Sequence, residues 1–454
     1  MAFLGSLLAL LTSTSLLGGA VQAASVIVPG AAWTDTSGNV IQAHGAGILK
    51  VGSTFYMHGE DKTHNSGLFR AVTCYSSSDL VNWSRQNDAL TPIANTPIST
   101  ANIVERPKVI FNQRNSEYVM WFHSDSSNYG AAQVGVATAK SPCGPYSYKA
   151  SWRPLGAESR DMGLFQDDDS VQTAYVLYAS DNNQNFKITR LDANYYNVTT
   201  QVAVIPSSTI ESPGIYKRNG VYWLFGSMTT GWNPNPNKYW RSNALSGTWS
   251  SSSDIAPQAT RTYFSQHTYT LPLGSNGVYM GDRWRPQQLG GSRYIWLPMS
   301  YSSGSPQLVW ADVWSINVGA GTYTVHTGTT YEAENGSRGG ASTLMDNSGF
   351  SGGRGIGYLG NGGTVTINNV QGLGRDQWVS LYYAVGDSTW RNVTVSVNGG
   401  GNVLVDQPNT GSGNTILSVP VKLNLRNGAN TLVFGGGQSN YAGDLDKIIV
   451  YTQA

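Results

Sequence analysis

Acidic side chains recur in the first half of this 454-residue chain, at the ends of short apolar segments. Glycosidic bond cleavage needs two carboxyl groups, one protonated to release the leaving group and one that handles water or attacks directly. Aromatic faces pack on sugar rings, and carboxylates accept hydrogen bonds from hydroxyl groups. The pattern therefore favours a site for a neutral, polyhydroxylated ligand. The candidate acids are Glu60, Glu105, Asp125, Asp161, Asp181 and Glu211, and the aromatic residues among them are Trp121, Tyr129, Trp223 and Trp232.

The composition excludes recognition by charge and predicts the class of fold. Only 12% of the residues are charged, and 28 Lys+Arg nearly balance 27 Asp+Glu. No basic stretch is present, so neither a nucleic acid nor a membrane is expected as a partner. The 53 glycines and the 11% of aromatic residues indicate many short strands joined by tight turns. The sequence therefore predicts an all-β protein.

An internal repeat predicts how the acids are positioned. One pattern recurs, consisting of an apolar strand, a polar turn, an aromatic-rich strand, and a small-residue or acidic end. Each unit has room for about four short strands, which is the content of one β-propeller blade. Five copies predict five blades, whose equivalent strand ends would meet at one mouth of the ring. An ordinary β-sandwich with similar hairpins is the alternative. The copies are aligned on Tyr56, Tyr118, Tyr175, Tyr222 and Tyr294.

Shifts in composition divide the chain into four parts. Residues 1–23 have an apolar middle and a small-x-small end, which predict a cleaved signal peptide. Residues 24–318 contain the repeats and are assigned to the propeller. Residues 319–330 are small, polar and unpatterned, as expected of a linker. Residues 331–454 are glycine-rich with period-two alternation, which predicts a β-sandwich of the jelly-roll type.

The signal peptide predicts a secreted, extracellular protein, and a monomer is expected. No later apolar run approaches the ~20 residues that a membrane-spanning helix needs. The two cysteines, Cys74 and Cys143, could form one disulfide in an oxidising compartment. N-x-S/T sequons agree with export and predict surface positions for Asn82, Asn197, Asn335 and Asn392.

Several segments, in this order, resemble glycoside hydrolase family 43, and most closely its fungal exo-β-1,3-galactanases. They are HGAGILKVGSTFYMHGE, SRDMGLFQDDD, IESPGIYKRNGVYWLFGS and GDRW. The resemblance covers residues 25–320 and implies a five-bladed propeller. It also implies an inverting enzyme that releases galactose from the β-1,3-galactan backbone of arabinogalactan and needs no organic cofactor.

The same resemblance assigns roles to individual residues. Glu211 would be the general acid, and Asp161 would position it and raise its pKa by its negative charge. The family's N-terminal general-base aspartate has no counterpart, because the matching stretch is Ala43-His44-Gly45-Ala46-Gly47. Gln266 is the candidate for holding the water. Glu105 is expected to bind sugar hydroxyl groups, and the role of base is the alternative for it. Further sugar ligands are expected at Glu60, Tyr129, Asn183 and Thr229.

Residues 331–454 resemble carbohydrate-binding module family 35 through the opening YEAE and the closing GDLDKI. The resemblance implies a structural Ca²⁺ held by Glu332, Glu334 and Asp446, whose hard oxygen donors suit that ion. It also implies sugar ligands at Tyr358, Arg391, Asn414, Tyr441 and Asp444.

Alternative interpretations stay open for the function and for two residue groups. An arabinofuranosidase or xylosidase of the same family would share the propeller and the acid. A secreted lectin would use the propeller only to bind glycans. Asp167, Asp168 and Asp169 are typical of a solvated hairpin turn rather than a metal site. His44, His58 and His267 lack a metal-ligand spacing and are expected to be hydrogen-bonded or to face the substrate.

Overall fold

The computed structural model describes residues 25–453, so the predicted signal peptide at residues 1–23 lies outside the described part. Strands and turns make up nearly all of that part, which confirms the all-β prediction. Within residues 25–453 no helix combines the length and the apolar character that crossing a bilayer would require.

Five four-stranded antiparallel sheets follow one another along the chain. The first holds β1 (His44–Val51), β2 (Thr54–Glu60), β3 (Val72–Ser77) and β4 (Ser84–Leu90), and the second holds β5 (Asn102–Asn112), β6 (Glu117–Ser126), β7 (Gln133–Ala139) and β8 (Ser147–Trp152). The third holds β9 (Met162–Gln166), β10 (Ala174–Ser180), β11 (Asn185–Leu191) and β12 (Val198–Ile205). The fourth holds β13 (Glu211–Arg218), β14 (Val221–Ser227), β15 (Lys238–Ser242) and β16 (Ser253–Asp254). The fifth holds β17 (Gln266–Leu273), β18 (Asn276–Arg283), β19 (Arg293–Ser300) and β20 (Gln307–Leu308).

The first strand of each sheet contacts the first strand of the next. These contacts run from β1 through β5, β9 and β13 to β17, and β17 in turn contacts β1. The buried pair of His44 on β1 and Asp282 on β18, 2.9 Å apart, also joins the first sheet to the fifth. The arrangement is therefore propeller-like, and a further β domain follows it.

Tight turns between alternating apolar strands explain why the hairpins form. In the hairpin of β13 and β14 the turn is Asn219-Gly220, with φ of 50° and 76°. This left-handed pair is the type I′ turn that matches the twist of the two strands. The outer strand β12 is buried only at Val198, whereas the inner strand β13 is buried from Ser212 to Tyr216.

The repeat prediction is right for four sheets and wrong for the fifth. Tyr222 and its counterparts in the first three sheets lie on the second strands, as the alignment requires. Tyr294 instead lies on β19, the third strand, and the second strand β18 carries Tyr279. The pattern misled because β19 is aromatic-rich and buried along most of its length, like the second strands of the other sheets.

The segment predicted as a linker contains regular structure. β21 (Trp314–Asn317) pairs with β22 (Thr322–Val325), and β22 lies inside residues 319–330. The Thr-Tyr-Thr-Val alternation of β22 suits a strand, and the same segment reaches the start of the next sheet.

Two further sheets follow and share one hydrophobic core. The six-stranded sheet holds β23 (Thr329–Glu332), β25 (Thr343–Asp346), β26 (Arg354–Gly357), β28 (Arg375–Ala384), β31 (Leu417–Leu425) and β33 (Asp444–Val450). The five-stranded sheet holds β24 (Ser337–Gly339), β27 (Thr364–Gly372), β29 (Arg391–Val397), β30 (Val403–Gln407) and β32 (Gly428–Phe434). Helical segments are short, namely α1 (Arg261–Phe264) and 3₁₀ turns at Pro154–Gly156, Gln258–Thr260, Leu289–Gly291, Ala333–Asn335 and Ser351–Gly353.

The two cysteines are paired, and most of the sequon asparagines lie at the surface. Cys74 on β3 and Cys143 after β7 form a disulfide with 5.5 Å between their Cα atoms. Three of the sequon asparagines are exposed, and Asn392 is half-buried. Their glycosylation remains a prediction.

Candidate active site

A cavity of about 270 Å³ lies at the end of the ring where the first strands begin. It gathers most of the predicted catalytic and sugar-binding residues and adds several that the sequence did not single out. Its lining consists of Glu60, Glu105, Arg106, His123, Tyr129, Arg160, Asp161, Asn183, Glu211, Gly231, Trp232, Gln266 and Trp284.

Irregularities in the first strands aim side chains into this cavity. The pairing register shifts in β5 between Glu105 and Lys108 and in β13 between Glu211 and Gly214. Arg106 has a φ of 55° within the first of these irregularities. A bulge inserts an extra residue and turns a side chain away from regular alternation. For this reason the consecutive residues Glu105 and Arg106 both line the cavity.

Glu211 has the protonation state that a general acid needs. Burial raises the pKa of its carboxyl group to about 8, and the negative charge of Asp161 adds to the rise. Nδ2 of Asn183 donates a hydrogen bond to Oε1 of Glu211 at 3.3 Å. Near neutral pH this carboxyl group therefore carries a proton.

Asp161 is the ionised partner of this acid. Burial would raise its pKa, but the charge of Arg106 and the bonds from Ser212 hold the pKa below its usual value. Nε of Arg106 lies 3.1 Å from Oδ2 of Asp161. The same oxygen accepts hydrogen bonds from the backbone N–H of Ser212 at 2.9 Å and from its hydroxyl at 3.2 Å. Because Ser212 follows Glu211, Asp161 also fixes the backbone that carries the acid.

Gln266 is held at the cavity wall in one orientation. Its Oε1 accepts hydrogen bonds from Nη2 of Arg106 at 2.7 Å and from Nε1 of Trp284 at 2.8 Å. Its Nε2 donates to Oγ of Ser227 at 3.0 Å. Arginine and tryptophan side chains are donors only, so the carbonyl oxygen must face them. The amide nitrogen is left to face any water in the cavity.

A buried ion-pair network around Glu60 and Glu105 forms another part of the lining. Nζ of Lys62 lies 2.7 Å from Glu60 and 3.8 Å from Glu105, and the hydroxyl of Tyr129 donates to Glu105 at 3.0 Å. Burial would raise the pKa of Glu105, but bonding to His123 and the charge of Lys62 lower it below its usual value. Glu105 is therefore an ionised carboxylate in the same cavity as the protonated Glu211.

The space beside Gly45 explains why the family's N-terminal base is absent. A Cβ atom at Gly45 would lie 2.0 Å from Oε1 of Glu60, and the φ of Gly45 is 57°. No side chain fits at that position without displacing the carboxylate. The carboxylate of Glu60 therefore occupies the space beside residues 43–47, the stretch that lacks an aspartate.

Other acidic candidates lie outside the lining. Asp125 is buried behind His123, and Oδ2 of Asp125 lies 2.8 Å from Nε2 of that histidine. Asp181 lies in an exposed turn and pairs with Lys187 at 2.9 Å. Both residues were expected at strand ends that face the mouth of the ring. Asp125 instead supports the lining residue His123, and Asp181 lies in a turn.

Three further expectations are corrected. Thr229 is exposed and outside the lining, although Gly231 and Trp232 of the same loop belong to it. Trp121 and Trp223 are 0% and 4% exposed and pack inside the sheets, because their alternation along β6 and β14 points them into the core. The predicted Trp232 does line the cavity, together with Trp284, and their rings meet edge to face with centroids 4.7 Å apart.

The three histidines are hydrogen-bonded, as the sequence indicated, whereas of the three aspartates Asp168 and Asp169 are exposed and Asp167 is buried. His44 pairs with Asp282, while the ring nitrogens of His58 and His267 lie 2.8 Å from the carbonyl oxygens of Pro142 and Ser212. Within residues 25–453 these three histidines do not form a joint ligand group. Asp167 precedes the turn between β9 and β10 and pairs with Lys217 at 2.7 Å.

One group in the cavity has metal-ligand spacing. Ligand atoms of Glu105, His123 and Asp161 all lie within 4.8 Å of one another. Although burial lowers the pKa of His123, bonds to Asp125 and Glu105 raise it to about 9. His123 is therefore protonated at neutral pH and pairs with the carboxylates of Asp125 and Glu105.

The residues expected to hold Ca²⁺ surround the turn at Ser351. Its hydroxyl donates to Oε1 of Glu332 at 2.9 Å, and its backbone N–H donates to Oδ1 of Asp446 at 2.7 Å. The Oε2 atoms of Glu332 and Glu334 are buried without hydrogen-bond partners. Burial raises the pKa of Asp446 to about 6, and the two glutamates add to the rise. Crowded carboxylates of this kind fit a hard cation.

The expected sugar ligands of the second domain lie at its surface. Tyr358 and Tyr441 are 54% and 41% exposed, and their rings meet edge to face at 5.9 Å. Nη1 of Arg391 donates to the carbonyl of Ala442 at 3.0 Å. Burial raises the pKa of Asp444, and the charge of Arg391 opposes the rise. Asn414 is exposed in the loop before β31.

Comparisons with known proteins agree with this geometry. The family model "Glycosyl hydrolases family 43" matches residues 41–273. An exo-β-1,3-galactanase from Phanerochaete chrysosporium, solved with β-1,3-galactotriose, is 72% identical and superposes with a TM-score of 0.93, covering 94% of this chain and 100% of its own. An exo-β-1,3-galactanase from Clostridium thermocellum is 26% identical, with a TM-score of 0.63 and coverage of 94% and 99%.

A β-D-galactofuranosidase from Aspergillus niger is 30% identical over 178 residues, which are 36% of this chain and 49% of that protein. The chain thus spans about half the length of this curated relative. The family match covers just over half of the present chain and includes the catalytic candidates Glu105, Asp161, Glu211 and Gln266. The chain belongs to family 43 of the glycoside hydrolases.

Proposed function

We propose that the protein is a secreted, inverting exo-β-1,3-galactanase that releases galactose from the β-1,3-galactan backbone of arabinogalactan. The observation that carries this proposal is the protonated Glu211 beside the ionised Asp161 in a cavity lined by aromatic and hydroxyl-binding groups. The likeness to the Phanerochaete chrysosporium galactanase along its whole length supports the substrate.

Glu211 gives its proton to the departing sugar oxygen. Asp161 keeps that proton in place near neutral pH through its charge, and it holds the backbone of Ser212. General acid catalysis of this kind contributes roughly 10²–10⁴-fold to the rate.

Gln266 orients the attacking water. Its carbonyl oxygen already accepts two hydrogen bonds, from Arg106 and Trp284, so a proton taken from water must go to another acceptor. Asp161 is bonded to Arg106 and Ser212, which leaves Glu105 as the second ionised carboxylate of the lining. Glu105 therefore serves as the base, while Gln266 supplies the geometry.

Sugar recognition falls to the rest of the lining. Trp232 and Trp284 offer aromatic surface, and Asn183, Tyr129 and Glu60 offer hydrogen bonds to hydroxyl groups.

The finer architecture belongs to the same proposal. The five sheets form the blades of a closed propeller, which the contact between β17 and β1 supports. The two later sheets form a β-sandwich module that binds polysaccharide through Tyr358 and its neighbours. A structural Ca²⁺ bound by Glu332, Glu334 and Asp446 would allow these three negatively charged carboxylates to lie close together. The disulfide supports secretion, and the protein acts as a monomer.

Product analysis tests the function. The protein is incubated with debranched β-1,3-galactan, and released sugars are separated by chromatography and followed by NMR. Galactose that appears first as the α-anomer is expected, since inversion of a β-linkage gives that anomer. Release of arabinose or xylose without galactose would contradict the substrate. Turnover by Glu211→Gln equal to that of the wild type would contradict the role of Glu211.

A further inference from the structure

A left-handed turn connects Gln266 to the C-terminal domain. α1 (Arg261–Phe264) ends two residues before Gln266, and its four residues have φ values between 49° and 57°. Consecutive left-handed residues with side chains are unfavourable by themselves. Contacts from the surrounding structure must therefore hold this turn.

The C-terminal domain supplies one set of these contacts. Phe264 is 3% exposed, and it packs within the hydrophobic core that the two later sheets share. Its ring meets Trp390 edge to face with centroids 5.5 Å apart. Nη2 of Arg261 donates to the carbonyl of Asn409 at 2.5 Å. An aromatic side chain of the catalytic domain thus completes the core of the other domain.

The catalytic domain supplies a second set of contacts to the turn. These hydrogen bonds include both neighbours of Gln266, namely Ser265 and His267. The hydroxyl of Thr262 accepts from the backbone N–H of Asn237 at 2.7 Å, and Oδ1 of Asn237 accepts from the N–H of His267 at 2.7 Å. The hydroxyls of Ser265 and Tyr279 lie 2.9 Å apart. Gln266 therefore lies between two residues that are bonded to this network.

The remaining interface makes the two domains one rigid unit. Asp312 of the catalytic domain is 7% exposed. It accepts hydrogen bonds from Tyr382 at 2.6 Å, Ser418 at 2.5 Å and Tyr451 at 2.8 Å, all in the C-terminal domain. A buried carboxylate satisfied across an interface fixes the relative position of its two sides.

We propose that Phe264 is a positioning residue for Gln266. Docking of its ring in the core of the C-terminal domain holds the left-handed turn, and the turn sets the position of the amide that orients water. The C-terminal domain thereby contributes to turnover of small substrates as well as to polymer binding. This inference rests on the proposed galactanase function.

Full-length variants and a soluble substrate test the inference. Phe264→Ala removes the ring, Phe264→Leu keeps an apolar anchor, and Ile367→Ala removes a similar side chain from the same core on β27. With β-1,3-galactotriose, kcat of Phe264→Ala should fall at least about tenfold because misplacement of a catalytic group is costly. The KM should change little, since Gln266 acts on water. Phe264→Leu should recover most of kcat, and Ile367→Ala should keep it.

Hydrogen exchange gives a readout independent of the reaction. Peptides covering residues 261–268 should exchange faster in Phe264→Ala and not in Ile367→Ala. Equal loss of kcat in these two variants, or unchanged exchange in Phe264→Ala, would overturn the inference. If Phe264→Ala does not fold, Trp390→Ala, which removes the facing ring, takes its place with the same two outcomes. If the wild type releases no galactose, the proposed function fails, and the exchange data still decide whether the domains are coupled.

Discussion

The guanidinium of Arg106 donates a hydrogen bond from Nη2 to Oε1 of Gln266 at 2.7 Å. The same group pairs through Nε with Asp161 at 3.1 Å. One buried arginine therefore connects the side of the cavity that orients water with the side that holds the acid. Its planar fork presents separate N–H donors to the two partners at fixed angles.

The pH dependence of the reaction should follow Glu211. Its carboxyl group must be protonated to act, and its pKa is raised to about 8, so kcat/KM should fall as the pH rises through that value. Asp161→Asn removes a charge that raises this pKa. The alkaline limb of that variant should therefore move to lower pH, along with a loss of rate. Initial rates with β-1,3-galactotriose across pH 5–10 check both expectations.

Asp181→Asn is the matched control for this charge change. Asp181 is exposed, pairs with Lys187 and lies outside the cavity. Removing its charge should therefore leave the alkaline limb of the pH profile at the same pH. An alkaline limb that stays unshifted in Asp161→Asn would show that another group controls it.

Variants of Gln266 and Glu105 should separate water positioning from proton uptake. We expect Glu105→Gln to lower kcat by roughly 10²-fold or more, as for loss of a general base. Gln266→Ala should lower kcat with little change in KM, since the amide contacts water rather than sugar. Steady-state kinetics with galactotriose measure both parameters. A Glu105→Gln variant that raises KM and keeps kcat would make Glu105 a sugar ligand only.

Calcium should stabilise the protein at neutral pH. Ion binding to the folded state alone raises the free energy of unfolding. Without the ion, the pKa of Asp446 rises from 3.8 to about 6 on folding. This group then favours folding fully below 3.8, and that contribution is lost as the pH rises through about 6. Added Ca²⁺ should therefore raise the Tm more at pH 7 than at pH 4.5, as scanning calorimetry would measure.

Asp446→Asn should remove most of the calcium effect on the Tm. Asp376→Asn, an exposed change on β28 of the same domain, should keep it. An equal response to Ca²⁺ in both variants would place the ion elsewhere.

The disulfide should contribute strongly to stability. Cys74 and Cys143 are 69 residues apart in the chain, and closing a loop of that length stabilises by about 4 kcal/mol in the chain-entropy model. Replacing both cysteines by serine should lower the free energy of unfolding by that order, measured in urea. Reducing agent should lower the Tm of the wild type and leave the double variant unchanged. Equal urea midpoints for the two proteins would contradict the expectation.

Some features of the site were predictable from sequence because they are local. Glu211 and Asp161 each lie in a short segment with a recognisable residue pattern, and the structure brings both to one cavity. Trp284 lies in the GDRW segment, so that segment could have been searched for a lining residue. Arg106 could not be predicted in this way, because regular alternation of side chains along a strand would place it on the opposite face from Glu105.

The sequence by itself determined the all-β class, the repeated hairpins and the main acidic candidates, since composition, period-two alternation and turn residues act over a few neighbouring positions. Only the tertiary structure decided that Tyr294 lies on the third strand of the fifth sheet, and that Thr229 lies outside the cavity lining. It also decided that Phe264 enters the core of another domain. These outcomes depend on strand bulges and on contacts between segments far apart in the chain, whose energies no local pattern contains.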